Sequence, residues 1–194
     1  MRTALLVAAS LAAALALAAT AAAERKLGTD GADVFTGTPA PDYYWGRGGD
    51  DQLSGQDARD HLWGGLGNDT LDGGAARDFA RGGEGDDDIA AGGGRDYAWG
   101  GPGNDTLTGG PGGDLRLWAG MGDDTVDGEG GSDWIWVGAG ADTANGGNGN
   151  DMIFAAADDG LVDTIDCGDG DLDRAVARVG DTVAASCERI VWVS

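Results

Sequence analysis

GGLGNDTLD (64–72), GGEGDDDIA (82–90), GGPGNDTLT (100–108) and GGNGNDMIF (146–154) are four versions of one nine-residue unit, all in the same phase. Aspartate holds the sixth place of every unit at Asp33, Asp42, Asp51, Asp60, Asp69, Asp78, Asp87, Asp96, Asp105 and Asp114. After one inserted residue the series resumes at Asp124, Asp133, Asp142 and Asp151. Fourteen consecutive repeats therefore fill residues 28–154. A short fixed period of this kind marks a solenoid, whose units bury their apolar residue only by stacking on their neighbours.

Glycines at places 1, 2 and 4 open backbone conformations closed to other residues, so the first six residues of a unit read as a tight turn. The remaining three read as a short strand, with the middle residue inward and its two neighbours outward. The inward column is Phe35, Tyr44, Leu53, Leu62, Leu71, Ala80, Ile89, Ala98, Leu107, Leu117, Val126, Ile135, Ala144 and Ile153. Two repeats make one coil, and successive strands alternate between two parallel sheets. At about 4.8 Å per strand, seven coils give a roll about 30–35 Å long. Rigid counting across the insertion would put Arg116 in the core, whereas a bulge at Leu115 turns Leu117 inward and Trp118 outward. The expected fold is all-β, a parallel β-roll (a right-handed β-solenoid of two sheets and about seven two-repeat coils) with a short C-terminal β cap.

The carboxylates decide the chemistry. Stacked turns bring aspartates 18 positions apart to within about 5 Å, where like charges repel by about 1 kcal/mol per pair in water and more at lower dielectric. A divalent cation between the turns reverses that sign. Calcium accepts six to eight hard oxygens in loose geometry, while magnesium demands a tight octahedron and keeps its waters. One edge of the roll carries Asp33, Asp51, Asp69, Asp87, Asp105, Asp124 and Asp142, with glycine at place 4 in every turn. The other carries Asp42, Asp60, Asp78, Asp96, Asp114, Asp133 and Asp151, with Ala40, Ala58 and Ala76 at place 4 of its first three turns. On that second edge Arg59, Arg77 and Arg95 precede the aspartate, so an arginine ladder competes with metal as the neutralising charge.

The unit resembles the G-G-x-G-x-D-x-U-x nonapeptide of RTX (hemolysin-type) calcium-binding repeats, and the resemblance covers 28–154. It implies Ca2+ held between stacked turns by carboxylates and turn carbonyls. Seven turns per edge leave six gaps, so at most about twelve ions are expected. With so much glycine (39 residues) and one modest core side chain per unit, binding energy is expected to be folding energy.

The ends carry other signals. Met1-Arg2, an apolar run from Ala4 to Ala19 and Ala21-Ala22-Ala23 read as a signal peptide over 1–23, cut before Glu24, which predicts an extracellular protein. The rest then has 11 basic and 34 acidic residues, a formal charge of −23. That charge excludes unaided binding to nucleic acid or to an anionic membrane. Residues 24–27 read as a lead-in. From Ala155 the period fails, and 155–194 reads as a cap over the last coil, with Cys167 and Cys187 expected as a disulfide. Asp169, Asp171 and Asp173 start like an EF-hand loop but lack its glycine and closing glutamate, and read as turn residues.

The outer faces differ. On one sheet the last strand place reads Trp45, Trp63, Arg81, Trp99, Trp118, Trp136, Phe154, beside Tyr43, His61, Phe79, Tyr97, Arg116, Trp134 and Met152. Such a face is a candidate for internal stacking, for cover by the C-terminal segment, for self-association or a protein partner, or for carbohydrate. The opposite sheet is rich in threonine, with Thr70, Thr106, Thr125 and Thr143 in register, but its second rank is too irregular for an ice-binding lattice. An enzyme is not expected. The single histidine, His61, excludes an H-E-x-x-H zinc site, G-x-S-x-G is absent, and no second domain supplies a cleft.

Overall fold

The computed structural model describes residues 22–157 and 159–194, so the expected signal peptide lies almost wholly outside the described residues. Short strands alternate with turns throughout. In chain order they are β1 (Arg25–Leu27), β2 (Val34–Thr36), β3 (Tyr43–Gly48), β4 (Gln52–Ser54), β5 (His61–Leu66), β6 (Thr70–Asp72) and β7 (Phe79–Glu84). Then follow β8 (Asp88–Ala90), β9 (Tyr97–Pro102), β10 (Thr106–Thr108), β11 (Arg116–Met121), β12 (Thr125–Asp127) and β13 (Trp134–Ala139). The last are β14 (Thr143–Asn145), β15 (Met152–Ala155), β16 (Thr164–Asp166), β17 (Arg174–Arg178), β18 (Thr182–Val183) and β19 (Arg189–Val193). Odd-numbered strands form one sheet of ten and even-numbered strands another of nine, each in serial order. All neighbours pair in parallel, and residues pair with those one coil away, 18 positions within the regular repeats, as in Leu62↔Ala80 and Leu71↔Ile89. This is a two-sheet parallel β-roll of about nine coils.

The core is the expected inward column. Leu53, Leu62, Leu71, Ile89, Leu107, Leu117, Val126, Ile135 and Ile153 are all buried between the sheets. At the N-terminal end Phe35 and Tyr44 pack ring to ring at 5.4 Å, and the Tyr44 hydroxyl reaches Glu24 and the Thr36 carbonyl. At the insertion, Leu115 N–H donates to the Asp96 carbonyl where the first strand residue does so in other coils, and Arg116 pairs with Tyr97 one residue later. Leu115 is thus the extra residue, and Leu117 is buried.

Both ends extend the roll beyond the nonapeptides. Residues 24–27 supply β1, which pairs with β3. The C-terminal cap is made by continuation: β16 and β18 add to the even sheet and β17 and β19 to the odd one. The segment runs along the roll axis and leaves the aromatic face uncovered. Cys167, just after β16, is joined to Cys187, just before β19, by a disulfide spanning 20 residues.

Candidate metal centre

Every turn delivers its aspartate to the same place. A side chain just before the strand points back under its own turn, against the first glycine of the unit; a Cβ on Gly64 or Gly100 would strike Oδ2 of Asp69 or Asp105. That glycine is needed because the carboxylate fills the room a side chain would take. Places 2 and 4 lie in the left-handed region, with Gly65 at φ +130° and Gly67 at +115°. Their carbonyl oxygens project along the roll axis, so that a Cβ at Gly83 or Gly85 would run into the oxygen of Gly65 or Gly67 one coil below.

The carboxylates form two continuous ladders. On one edge the N–H groups of Asp33, Asp51, Asp69 and Asp87 donate to Oδ1 of Asp51, Asp69, Asp87 and Asp105 at 2.7–2.8 Å. Asp105 and Asp124 donate likewise to Asp124 and Asp142. On the other edge Asp42, Asp60, Asp78, Asp96, Asp114 and Asp133 donate to Oδ1 of Asp60, Asp78, Asp96, Asp114, Asp133 and Asp151 at 2.6–2.9 Å. Asp33 differs from the rest in sitting at the open end, part exposed. From Asp51 to Asp151 each Oδ2 is buried and has no hydrogen-bond partner. A buried unpaired carboxylate oxygen is costly, and a column of them must be either neutralised by a counter-charge or protonated.

Burial is the leading cause of raised carboxyl pKa values along both ladders, offset in part by the N–H donated from the preceding coil. Asp78 and Asp133 are pushed up to about 8, and Asp60, Asp87, Asp114 and Asp124 to about 7. Asp69, Asp96, Asp105 and Asp151 rise to about 6.

The arginines of the second edge do not neutralise this charge by pairing. Arg77 donates to the Tyr97 hydroxyl at 3.0 Å and lies over its ring, and Arg95 donates to the Gly113 carbonyl. Arg77 only moderates the rise at Asp96. Among the described residues the ion pairs are Lys26–Glu24 and Arg47–Asp30, neither on the ladders. Two of the three alanines of this edge are strained as the glycine pattern implies: Ala58 and Ala76 sit at φ 72° and 82°, in the left-handed region, whereas Ala40, between two prolines, lies outside it.

Two features escape the nine-residue count. Asp163 and Asp173 continue the ladders, accepting the N–H of Asp142 and Asp151 at 3.0 and 2.6 Å. Asp173, read from sequence as a turn residue, is fully buried with an orphaned Oδ2. Their signal was local: each begins an Asp-x-U-x quartet (DTID, DRAV) like those of the repeats, but 21 and 22 residues after its partner. The first edge also carries an outer rail, in which Asn68, Asp86, Asn104 and Asp123 donate N–H to the side-chain oxygens of Asp50, Asn68, Asp86 and Asn104.

No group of three or more His, Cys, Asp or Glu converges on one point among the described residues. The oxygen set is instead two carboxylates per gap plus turn carbonyls, all hard donors, which fits a cation of loose and mostly oxygen coordination. Fold and donor set define a metal-binding parallel β-roll. The model of the RTX calcium-binding nonapeptide repeat matches residues 27–57, 45–80, 81–115, 116–135 and 127–162, well over half of the sequence. The chain belongs to this family, and is a calcium-binding β-roll. No curated protein matches the sequence significantly.

Proposed function

We propose that the protein is exported and that its roll forms only when calcium enters the gaps between stacked turns. The ligands are Asp33, Asp51, Asp69, Asp87, Asp105, Asp124 and Asp142 on one edge. On the other they are Asp42, Asp60, Asp78, Asp96, Asp114, Asp133 and Asp151. The observation that carries this reading is the unbroken column of buried, unpartnered Oδ2 atoms on each edge. Calcium supplies the positive charge that lets these carboxylates stay ionised while stacked. The chain supplies the rest: Oδ1 fixes each carboxylate on the backbone N–H of the coil before it, and the left-handed glycines aim carbonyls into the gap. Asp163 and Asp173 extend the same role to the terminal coils.

Export is supported by the apolar N-terminal run and by the disulfide, which persists in oxidising compartments. No described helix is long and apolar enough to cross a membrane. The protein works as a folded surface held up by metal, without catalysis. Far-UV circular dichroism of the purified protein tests the coupling. In EDTA the spectrum is that of a disordered chain, millimolar calcium converts it to β structure, and the same magnesium concentration does not. A β spectrum already present in EDTA at neutral pH would refute the coupling.

A further inference from the structure

At the two outward places that flank the inward column, the odd strands β3 to β15 carry His61, Arg81 and Arg116 as their basic side chains; further along the same strands lie Arg47, paired with Asp30, and Glu84. Asp72, Asp88 and Asp127 are the only acidic ones at the outward places of the even strands β2 to β14. Arg81 and Asp88 are exposed and have no ion pair within the described chain. Arg81 breaks the tryptophan column, and Phe79 leans across the break, at 5.7 Å from Trp63 and 5.3 Å from Trp99.

The two strands of one coil lie on opposite faces and run in opposite directions. The first outward residue of one strand therefore stands back to back with the second outward residue of the other. By this rule His61 backs onto Asp72 through the β5–β6 coil, Arg81 onto Asp88 through β7–β8, and Arg116 onto Asp127 through β11–β12. Both arginines that flank the inward column are thus matched by an aspartate of the other face, and the imidazole of His61 backs onto the third aspartate.

We propose that the aromatic face docks on the threonine-rich face of a second copy of this chain, displaced perpendicular to the sheets without rotation. Arg81 then meets the neighbour's Asp88, Arg116 its Asp127 and His61 its Asp72. Large rings meet small side chains between them, Trp63 on Thr70 and Phe79 on Ala90. The register is specific: a shift of one coil either way puts Arg81 against Thr70 or Thr106 and Arg116 against Thr108 or Asn145. Turning the neighbour end for end still pairs Arg81 with Asp127 and Arg116 with Asp88, but buries Asp72 against Trp136. Sugar stacking is the poorer fit, because the ring faces are spent on one another: Trp45 and Trp63 lie parallel within 1° at 4.9 Å. Seven coils and a three-residue strip cover on the order of 500 Å² per copy, below the usual stable interface, so the contact is weak. Because the displacement does not close on itself, stacks are open-ended.

Sedimentation velocity in millimolar calcium, from about 10 μM to about 1 mM, tests this. Circular dichroism confirms the same β content in every variant, all of them at exposed strand positions. The wild type grows past dimers with concentration. Arg81→Glu or Asp88→Arg alone lowers the association constant about tenfold. The R81E/D88R double variant, and an equimolar mixture of the two single variants, restore it to within about threefold. A wild type that stays monomeric across the range overturns the proposal, whether or not it binds polygalacturonate, a linear acidic polysaccharide, through Arg81 and Arg116. So does a particle that stops at two and ignores D88R, which would mean that aromatic faces pair with each other. Rescue by R81E/D127R in place of R81E/D88R would overturn the register.

Discussion

The backbone N–H of Asp69 donates to Oδ1 of Asp87 at 2.8 Å, while Oδ2 of the same carboxylate is buried with no partner. One oxygen of each ladder aspartate thus holds the coil below, and the other faces the gap. The two roles can be separated by mutation. Asp87→Asn keeps the acceptor for Asp69 but removes the charge. The calcium midpoint of folding is expected to rise about tenfold, with one or two fewer ions bound by isothermal titration calorimetry. Asp86→Asn is the control: asparagine already serves at Asn68 and Asn104 of the same rail, so the midpoint should not move.

Ala76 holds φ 82° at a place where most turns use glycine. Ala76→Gly relieves the left-handed strain and should stabilise the calcium-loaded roll by about 1 kcal/mol in a urea titration. Ala75, next to it, is outside that region, and Ala75→Gly should cost about 0.5–1 kcal/mol through backbone entropy. Equal effects of the two substitutions would remove strain as the explanation.

Acid should favour the metal-free roll. The buried carboxyls of Asp69, Asp87 and Asp78 titrate at about 6, 7 and 8 in the folded state, above their ordinary value near 4 in an unfolded chain. Between those limits the folded form holds protons that the unfolded form has released, so stability is greatest below about pH 4 and falls as pH rises to about 8. In EDTA, lowering the pH from 8 to 5 should therefore increase β structure in circular dichroism. In saturating calcium the spectrum should be flat over pH 7–8, because the carboxylates are then ionised and paired. Loss of β structure on acidification in EDTA would contradict the burial-driven shifts.

The disulfide clamps the newest coils. Reduction of Cys167–Cys187 should cost about 3 kcal/mol by the loop-entropy estimate. The loss should be local, because coils touch only their neighbours. Hydrogen exchange should show protection falling over residues 164–193 while residues 43–136 keep theirs.

Much of this was legible from nine-residue counting. The phase of Asp33 to Asp151 and the column from Phe35 to Ile153 already separate turn, inward and outward places, because a three-residue strand has only one inward position. Leu115 was legible as a bulge because only that choice keeps Arg116 out of the core. Asp163 and Asp173 were not, since the loops before them are longer and the count slips. What survives there is the stacking, which needs an aspartate and an inward Ile165 or Ala175 but no fixed spacing.

Sequence by itself determined the repeat, the two aspartate ladders and the candidate cation, because a period and a carboxylate are properties of residues in order. Only the tertiary structure decided where Arg77 and Arg95 spend their charge, since a long side chain preceding an aspartate can turn either toward it or toward Tyr97 and Gly113. It also decided that the rings of the aromatic face stack on one another, and that the C-terminal strands prolong the roll. Those outcomes depend on which atoms meet one coil away, a distance that 18 residues of chain span and that no single repeat contains.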